Sequence, residues 1–275
     1  MRREEPTQFG LGKVSANKIV LVTGGASGIG RATAIRFARD GDTVVIADIN
    51  ESGGQAVVRD IEASGGGALF RKVDVASDAS VDALVDFMLR ESSTPAVLVN
   101  CAGLLQNPSR LINLDMAEHD RIWAVNYRGR YLCCRAFAPA MISAGSGCII
   151  NISSTSAVRV FPLLAYSPAK AAIDQLTAIL AADLGPDGVR VNAVLPGYVL
   201  SEQMQSRIDA GLRDENKMKA QSALGRMVEP DEIADGIHFL CSDAASAITG
   251  AIMPIDAGYL ASTSYQLHAG WKSES

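Results

Sequence analysis

The sequence predicts an α/β chain, a single domain on a doubly wound parallel sheet of about seven strands with helices on both faces. Three observations carry this. Short apolar runs recur along most of the chain, and stretches with helical spacing separate them. A glycine-rich turn stands where the first run gives way to the first helical stretch.

KIVLVT at 18–23 is near-continuous aliphatic, as a strand covered on both faces should be. GRATAIRFARDG follows with a helical period and a glycine at its stop. TVVIAD at 43–48 is the second strand, and ESGGQAVVRDIEASG the next helix. ALFRKVDV at 68–75 is the third strand, followed by the helical DASVDALVDFMLRES. AVLVNC at 96–101 is the fourth, and the stretch from Asp115 to Ala144 reads as one long helix. GCIINIS at 147–153 is the fifth strand, and AKAAIDQLTAILAADLG a helix stopped by glycine. VRVNAVLP at 189–196 and AIMPID at 251–256 complete the sheet. Residues 197–230 are long and polar, and read as a lid or binding insertion. The chain divides into an N-terminal extension (1–17), the domain (18–260) and a tail (261–275). Tyr265 and Trp271 suggest that the tail packs on a subunit, near a cleft.

Composition excludes several function classes. Hydrophobic residues at 48% and charged residues at 20% fit a soluble globular core. A net charge of -5 without a long basic run argues against nucleic acid. Arg2–Arg3 and RGR at 128–130 read as tail and as solvated or interface surface. Cys101, Cys133, Cys134, Cys148 and Cys241 lie in apolar segments with no C-x-x-C pair, which predicts reduced thiols in a cytoplasmic protein. His119, His238 and His268 have no metal spacing, so no metal is predicted. No segment approaches the roughly 20 apolar residues of a membrane span. The N-terminal stretch has no apolar core of a signal peptide.

TGGASGIG at 23–30 places four glycines in eight residues. Glycine costs conformational entropy on ordering, so the cluster needs a reason. Between strand and helix, Gly24, Gly28 and Gly30 let backbone approach a diphosphate, which meets the free N–H groups of the helix start. Asp48 ends the second strand and can accept both hydroxyls of a ribose. A 2′-phosphate about 4 Å from that carboxylate would be repelled by roughly 4 kcal/mol at an effective dielectric near 20. Ser27, Ile49 and Asn50 offer no compensating cation, so NAD is predicted over NADP.

YSPAK at 166–170 puts Tyr166 and Lys170 on one helix face. A tyrosine near pKa 10 is a poor base at neutral pH, and a nearby ammonium favours its ionised form. Pro168 is tolerated only in a first helical turn, so the helix should begin at about Tyr166 or Ser167.

In one order, TGGASGIG, Asp74–Val75, NCAG at 100–103, Asn126, NISS at 151–154, YSPAK and Pro196–Gly197 resemble the classical short-chain dehydrogenase/reductase family over nearly the whole chain. The resemblance implies a Rossmann-type fold and hydride transfer between NAD(H) and a secondary alcohol or ketone. It implies Tyr166 as general acid/base, Lys170 as its tuner and a ligand of the nicotinamide ribose, Ser154 as the substrate-oxygen donor, and Asn126 in a proton relay. Ser154 is preferred to Ser153 because the one-residue shortening before Tyr166 belongs in the loop. Ile29, Asn100, Ala102 and Gly103 would join the cofactor site, with Asp74 and Val75 on its adenine side. Pro196, Gly197, Val199 and Ser201 would hold the carboxamide end. Cys101 stands where a second asparagine or a small residue is commoner. The substrate pocket should draw on Leu104, Leu105, Thr155, Phe161, Leu163, Tyr198 and the lid from Glu202 onward, Met204 and Met218 included. Family analogy favours a polyol, sugar or sugar acid; a 3-oxoacyl compound or a hydroxysteroid is the alternative. A non-catalytic NAD-binding sensor is the rival of another class. The resemblance also implies a homotetramer.

Overall fold

A computed structural model of the chain describes residues 18–91 and 94–266. In chain order its elements are β1 (Ile19–Thr23), α1 (Gly28–Arg39), β2 (Thr43–Asp48), α2 (Glu51–Ala63), β3 (Gly67–Lys72), α3 (Asp78–Arg90), β4 (Val97–Asn100), α4 (Met116–Trp123) and α5 (Gly129–Ala144). There follow β5 (Gly147–Ile152), α6 (Tyr166–Leu184), β6 (Val189–Pro196), α7 (Glu202–Asp209), α8 (Glu215–Ala220), α9 (Pro230–Cys241), β7 (Ile252–Ile255) and α10 (Tyr259–Gln266). The seven strands are parallel, in the order β3-β2-β1-β4-β5-β6-β7. The order reverses between β1 and β4, and there a crevice opens at the strands' carboxyl ends.

Alternation along each strand builds two cores. Val20, Val22, Ile46 and Ile150 face α1, α2 and α9 through Phe37, Ile61 and Ile237. Leu21, Val45, Leu98 and Ile149 face α3, α5 and α6 through Leu84, Phe137 and Leu184. Both faces are therefore apolar, which accounts for the unbroken aliphatic runs.

Several expectations need correction. The third strand stops at Lys72 rather than 75, because its partner β2 ends at Asp48, opposite Lys72. Asp74 and Val75 thus lie in the loop at the sheet's carboxyl edge, and Ser77 caps α3 there. The fifth strand ends at Ile152, one residue early. The long helix of 115–144 is interrupted by a π-helical turn at Ala124–Arg128, around Asn126. Helix α10 straddles the expected boundary at 260. Arg159 Nη2 donates to the Leu260 carbonyl at 2.9 Å and also to Ser264 Oγ, so contacts to the domain run across position 260 along this helix. Trp271 lies outside the described residues. Helix α9, which covers the β5–β6 side of the sheet, was not among the expected helices.

Ile149 is fully buried and Ile112 is 80% exposed. Ile149→Ala should cost about 2–5 kcal/mol of unfolding free energy. Ile112→Ala should stay within about 0.5 kcal/mol. Denaturant titration of both variants checks this.

Candidate active site

A cleft of about 700 Å³ runs along the carboxyl edge of the sheet. One end is the glycine turn, where Gly24 and Gly28 have φ of +68° and +51°. A Cβ on Gly24 would lie 2.6 Å from the Ala102 backbone, and one on Gly30 would lie 2.1 Å from the Gly24 carbonyl. The turn is thus closed to side chains and lies bare against the loop after β4. Helix α1 has no acidic residue in its first turn, and Ser27 makes no side-chain cap. Its N-terminal donors need an acceptor from elsewhere. The Gly28 N–H finds one in Glu202 Oε2, at 3.1 Å, from the lid helix α7. A carboxylate on this N–H shows that the position takes an anion, and the cradle fits a dinucleotide diphosphate.

Asp48 stands at the cleft wall, its oxygens accepting the Ala26 N–H at 3.0 Å and the Asn50 N–H at 2.8 Å. Ile49 flanks it, largely exposed. Ser27, Ile29, Asp74, Val75, Ala102, Gly103, Pro196, Gly197, Val199 and Ser201 also line the cleft, as do Leu104 and Leu105. Asn100 does not. Its side chain is fully buried and donates to Asn151 Oδ1 at 3.0 Å, tying β4 to β5. Thr155, Phe161, Leu163 and Tyr198 stay outside the cleft walls; two of them instead form the aromatic cluster around Tyr259.

The other end holds the titratable groups. Tyr166 begins α6 and Pro168 falls in its first turn, as the sequence requires. Gln106 Oε1 fixes that helix start by accepting the Ala165 and Tyr166 N–H groups at 3.0 and 3.1 Å. One turn on, Lys170 Nζ lies 5.3 Å from the Tyr166 ring centroid and donates to the Ile152 carbonyl at 2.7 Å. Ser154 lies beside the Tyr166 phenol and favours its ionised form, and its Oγ accepts the Ser156 N–H at 3.2 Å. Ser153 is 2% exposed, and its Oγ has no hydrogen-bond partner among the described residues. The two side chains thus differ in surroundings, as those of neighbours leaving a strand do.

Burial raises the Tyr166 phenol above its usual pKa, and Ser154 and the charges of Arg130 and Arg207 oppose that rise. Burial, with Arg130 second, holds Lys170 well below the usual lysine value. Burial pushes the Cys101 thiol up to about 12, so it is no thiolate nucleophile at neutral pH.

Asn126 sits in the π-helical turn, a local irregularity common at functional sites. Its side chain accepts the Leu104 N–H at 2.7 Å and donates to the Leu104 carbonyl at 2.9 Å, clamping the loop after β4. It does not line the cleft. Its own carbonyl accepts Arg130 Nη1. Arg130 Nη2 reaches the Ile152 carbonyl at 3.4 Å, the acceptor that Lys170 uses. Arg130 is only 2% exposed. The reading of RGR as surface is therefore wrong for Arg130. One helical turn after Asn126, its side chain points inward beneath the site. Arg128 does face solvent, paired with Asp78. The sequence reading also missed Gln106, Arg207 and the Gly28–Glu202 contact, which have no motif of their own.

Removing Arg130 takes away a cation that opposes the rise of Tyr166. In Arg130→Met the Tyr166 phenol should ionise at higher pH than in the parent. An ultraviolet difference titration, with Tyr166→Phe as the blank, checks the direction.

A family model described as Enoyl-(Acyl carrier protein) reductase matches residues 24–260. The cis-4-hydroxycyclohexanecarboxylate dehydrogenase of Sinomonas cyclohexanicum is 39% identical over 254 residues, 91% of this chain and 100% of that one. The D-threitol dehydrogenase of Mycolicibacterium smegmatis is 37% identical over 244 residues, 88% of this chain and 92% of that one. A crystal structure described as ribose-5-phosphate isomerase from Brucella melitensis 16M superposes with a TM-score of 0.89 at 39% identity, covering 94% of this chain and 99% of that one.

Proposed function

The chain belongs to the short-chain dehydrogenase/reductase family, and on that premise we propose that it is an NAD(H)-dependent enzyme interconverting a secondary alcohol and a ketone. Relatives named as dehydrogenases of a hydroxycyclohexanecarboxylate, of D-threitol and of cyclopentanol support an oxidoreductase acting on CH–OH groups, and short-chain dehydrogenases use nicotinamide cofactors. One observation carries the rest: a single cleft has an anion-ready glycine cradle at one end and the Ser154–Tyr166–Lys170 cluster at the other.

In oxidation, Tyr166 takes the proton of the substrate hydroxyl when its phenol is ionised, a state that burial opposes and Ser154, Arg130 and Arg207 favour. Ser154 Oγ donates to the substrate oxygen and holds it within reach of that phenol. Lys170, fixed through the Ile152 carbonyl, faces the ring of Tyr166 and is placed to hold the ribose next to the nicotinamide. Asn126 and Arg130 hold this floor rigid rather than touching substrate. When bound, nicotinamide supplies the hydride acceptor. Reduction uses the same groups in reverse.

Asp48 supports NAD over NADP. Its carboxylate is pinned by two backbone donors. The nearest cation in register, Lys72, leans to Glu51 at 3.7 Å. Asp48→Asn should move the NADP⁺-over-NAD⁺ ratio of kcat/KM upward by about tenfold or more. Equal efficiencies in the parent chain would contradict the preference.

The D-threitol relative supports a polyol, and the hydroxycyclohexanecarboxylate relative an alicyclic hydroxy acid. A 3-hydroxyacyl compound is the second reading; the description of the matching family model supports only its acyl-carrier part. An isomerase reading, after the description of the Brucella structure, would leave the dinucleotide cradle without use. Initial rates of NAD⁺ reduction over polyols, alicyclic hydroxy acids, hydroxyacyl esters and hydroxysteroids test these readings. Tyr166→Phe should lose about a hundredfold or more in rate while still binding NADH. Turnover unchanged in that variant would overturn the assignment.

A further inference from the structure

The geometry points to an oxyanion subsite beside Gln106, next to the start of α6, formed by Arg207 and Arg213, so that the alcohol substrate carries a carboxylate or a like anionic group. This rests on the reading of Tyr166 as the group that meets the substrate hydroxyl.

Arg207 lies on α7 and Arg213 in the turn after it, both partly buried. Their guanidinium groups converge on one acceptor, the Gln106 carbonyl, at 3.5 and 3.4 Å. Arg207 Nη1 also donates to Asn107 Oδ1 at 3.0 Å, and Arg213 Nη1 to the Leu212 carbonyl at 2.8 Å. All their acceptors are neutral. Among the described residues neither has a carboxylate within 4.0 Å, whereas Arg36, Arg128 and Arg226 each have one. Two like charges held on one carbonyl repel, and burial and Arg213 together lower Arg207 below its usual value. An anion between them would relieve that repulsion and take up guanidinium donors left over.

The pair is also tied to the reacting group. Gln106, whose carbonyl gathers both arginines, fixes the start of α6 through its side chain, and its Nε2 is buried with no partner. The Tyr166 phenol feels the charge of Arg207, and Tyr198 that of Arg213. An anionic group on this pair would leave a hydroxyl further along the molecule to meet Tyr166.

The test is calorimetric binding to the NADH-loaded protein, which needs no turnover. The probes are cyclohexanecarboxylate and its neutral carboxamide. The carboxylate should bind about tenfold tighter or more, and Arg207→Gln and Arg213→Gln should each remove most of that difference. The Lys variants should restore part of it, and added salt should weaken the acid alone. Cyclohexanesulfonate and a phosphate monoester, run alongside, tell which oxyanion fits best. Equal binding of acid and amide to the parent overturns the subsite, as does a preference that survives in both Gln variants. If acid binding follows the arginines yet no alcohol is oxidised, the subsite stands and the Tyr166 reading falls.

Discussion

The carbonyl of Ile152, the last residue of β5, is the acceptor on which the chemical end of the cleft depends. Lys170 and Arg130 both donate to it, from different helices. Two cations beneath one tyrosine would repel each other in water, but here their positions are fixed by backbone acceptors. Arg130 is held in addition by the carbonyl of Asn126, whose side chain clamps the loop after β4. Strand end, π-helical turn and α6 therefore share one hydrogen-bonded floor. Burial disfavours charge on Tyr166 and Lys170 alike, and Arg130 weighs against the first effect and with the second. Burial lowers the Arg130 guanidinium as well, from the highest usual value of the three groups.

The other end obeys a different constraint. A glycine turn closed to side chains leaves backbone donors bare, and the lid's Glu202 takes one of them. That N–H cannot serve Glu202 and a diphosphate at once. Helix α7 carries both Glu202 and Arg207, so the glycine turn and the Gln106 carbonyl are joined through it.

Much of this was legible in the sequence because periodic burial leaves a periodic mark. The seven strands were readable as aliphatic runs, since both faces of the sheet are covered. Pro168 placed the start of α6, because proline has one tolerated setting in a helix. The glycine turn was readable because backbone geometry demands glycine there, and the Tyr166–Lys170 pair was readable beside the other motifs of the family. What escaped was set by tertiary contact. The third strand ends early because β2 ends, which no feature of ALFRKVDV records. Arg130 looked like surface beside Arg128 until the π-helical turn set its direction inward. Asn100 and Asn126 sit near the site yet turn their side chains into the scaffold. The convergence of Arg207 and Arg213 on Gln106 joins residues about a hundred positions apart, beyond any local pattern.

The most direct test of the account follows an isotope. An oxidised alcohol is made with deuterium on the carbinol carbon, turned over with NAD⁺, and the reduced cofactor is recovered for mass spectrometry. The account predicts one deuterium on the nicotinamide per turnover and a slower rate than with the protonated alcohol when chemistry limits. Reduced cofactor without deuterium, or cofactor binding with no reduction by any alcohol, would contradict it.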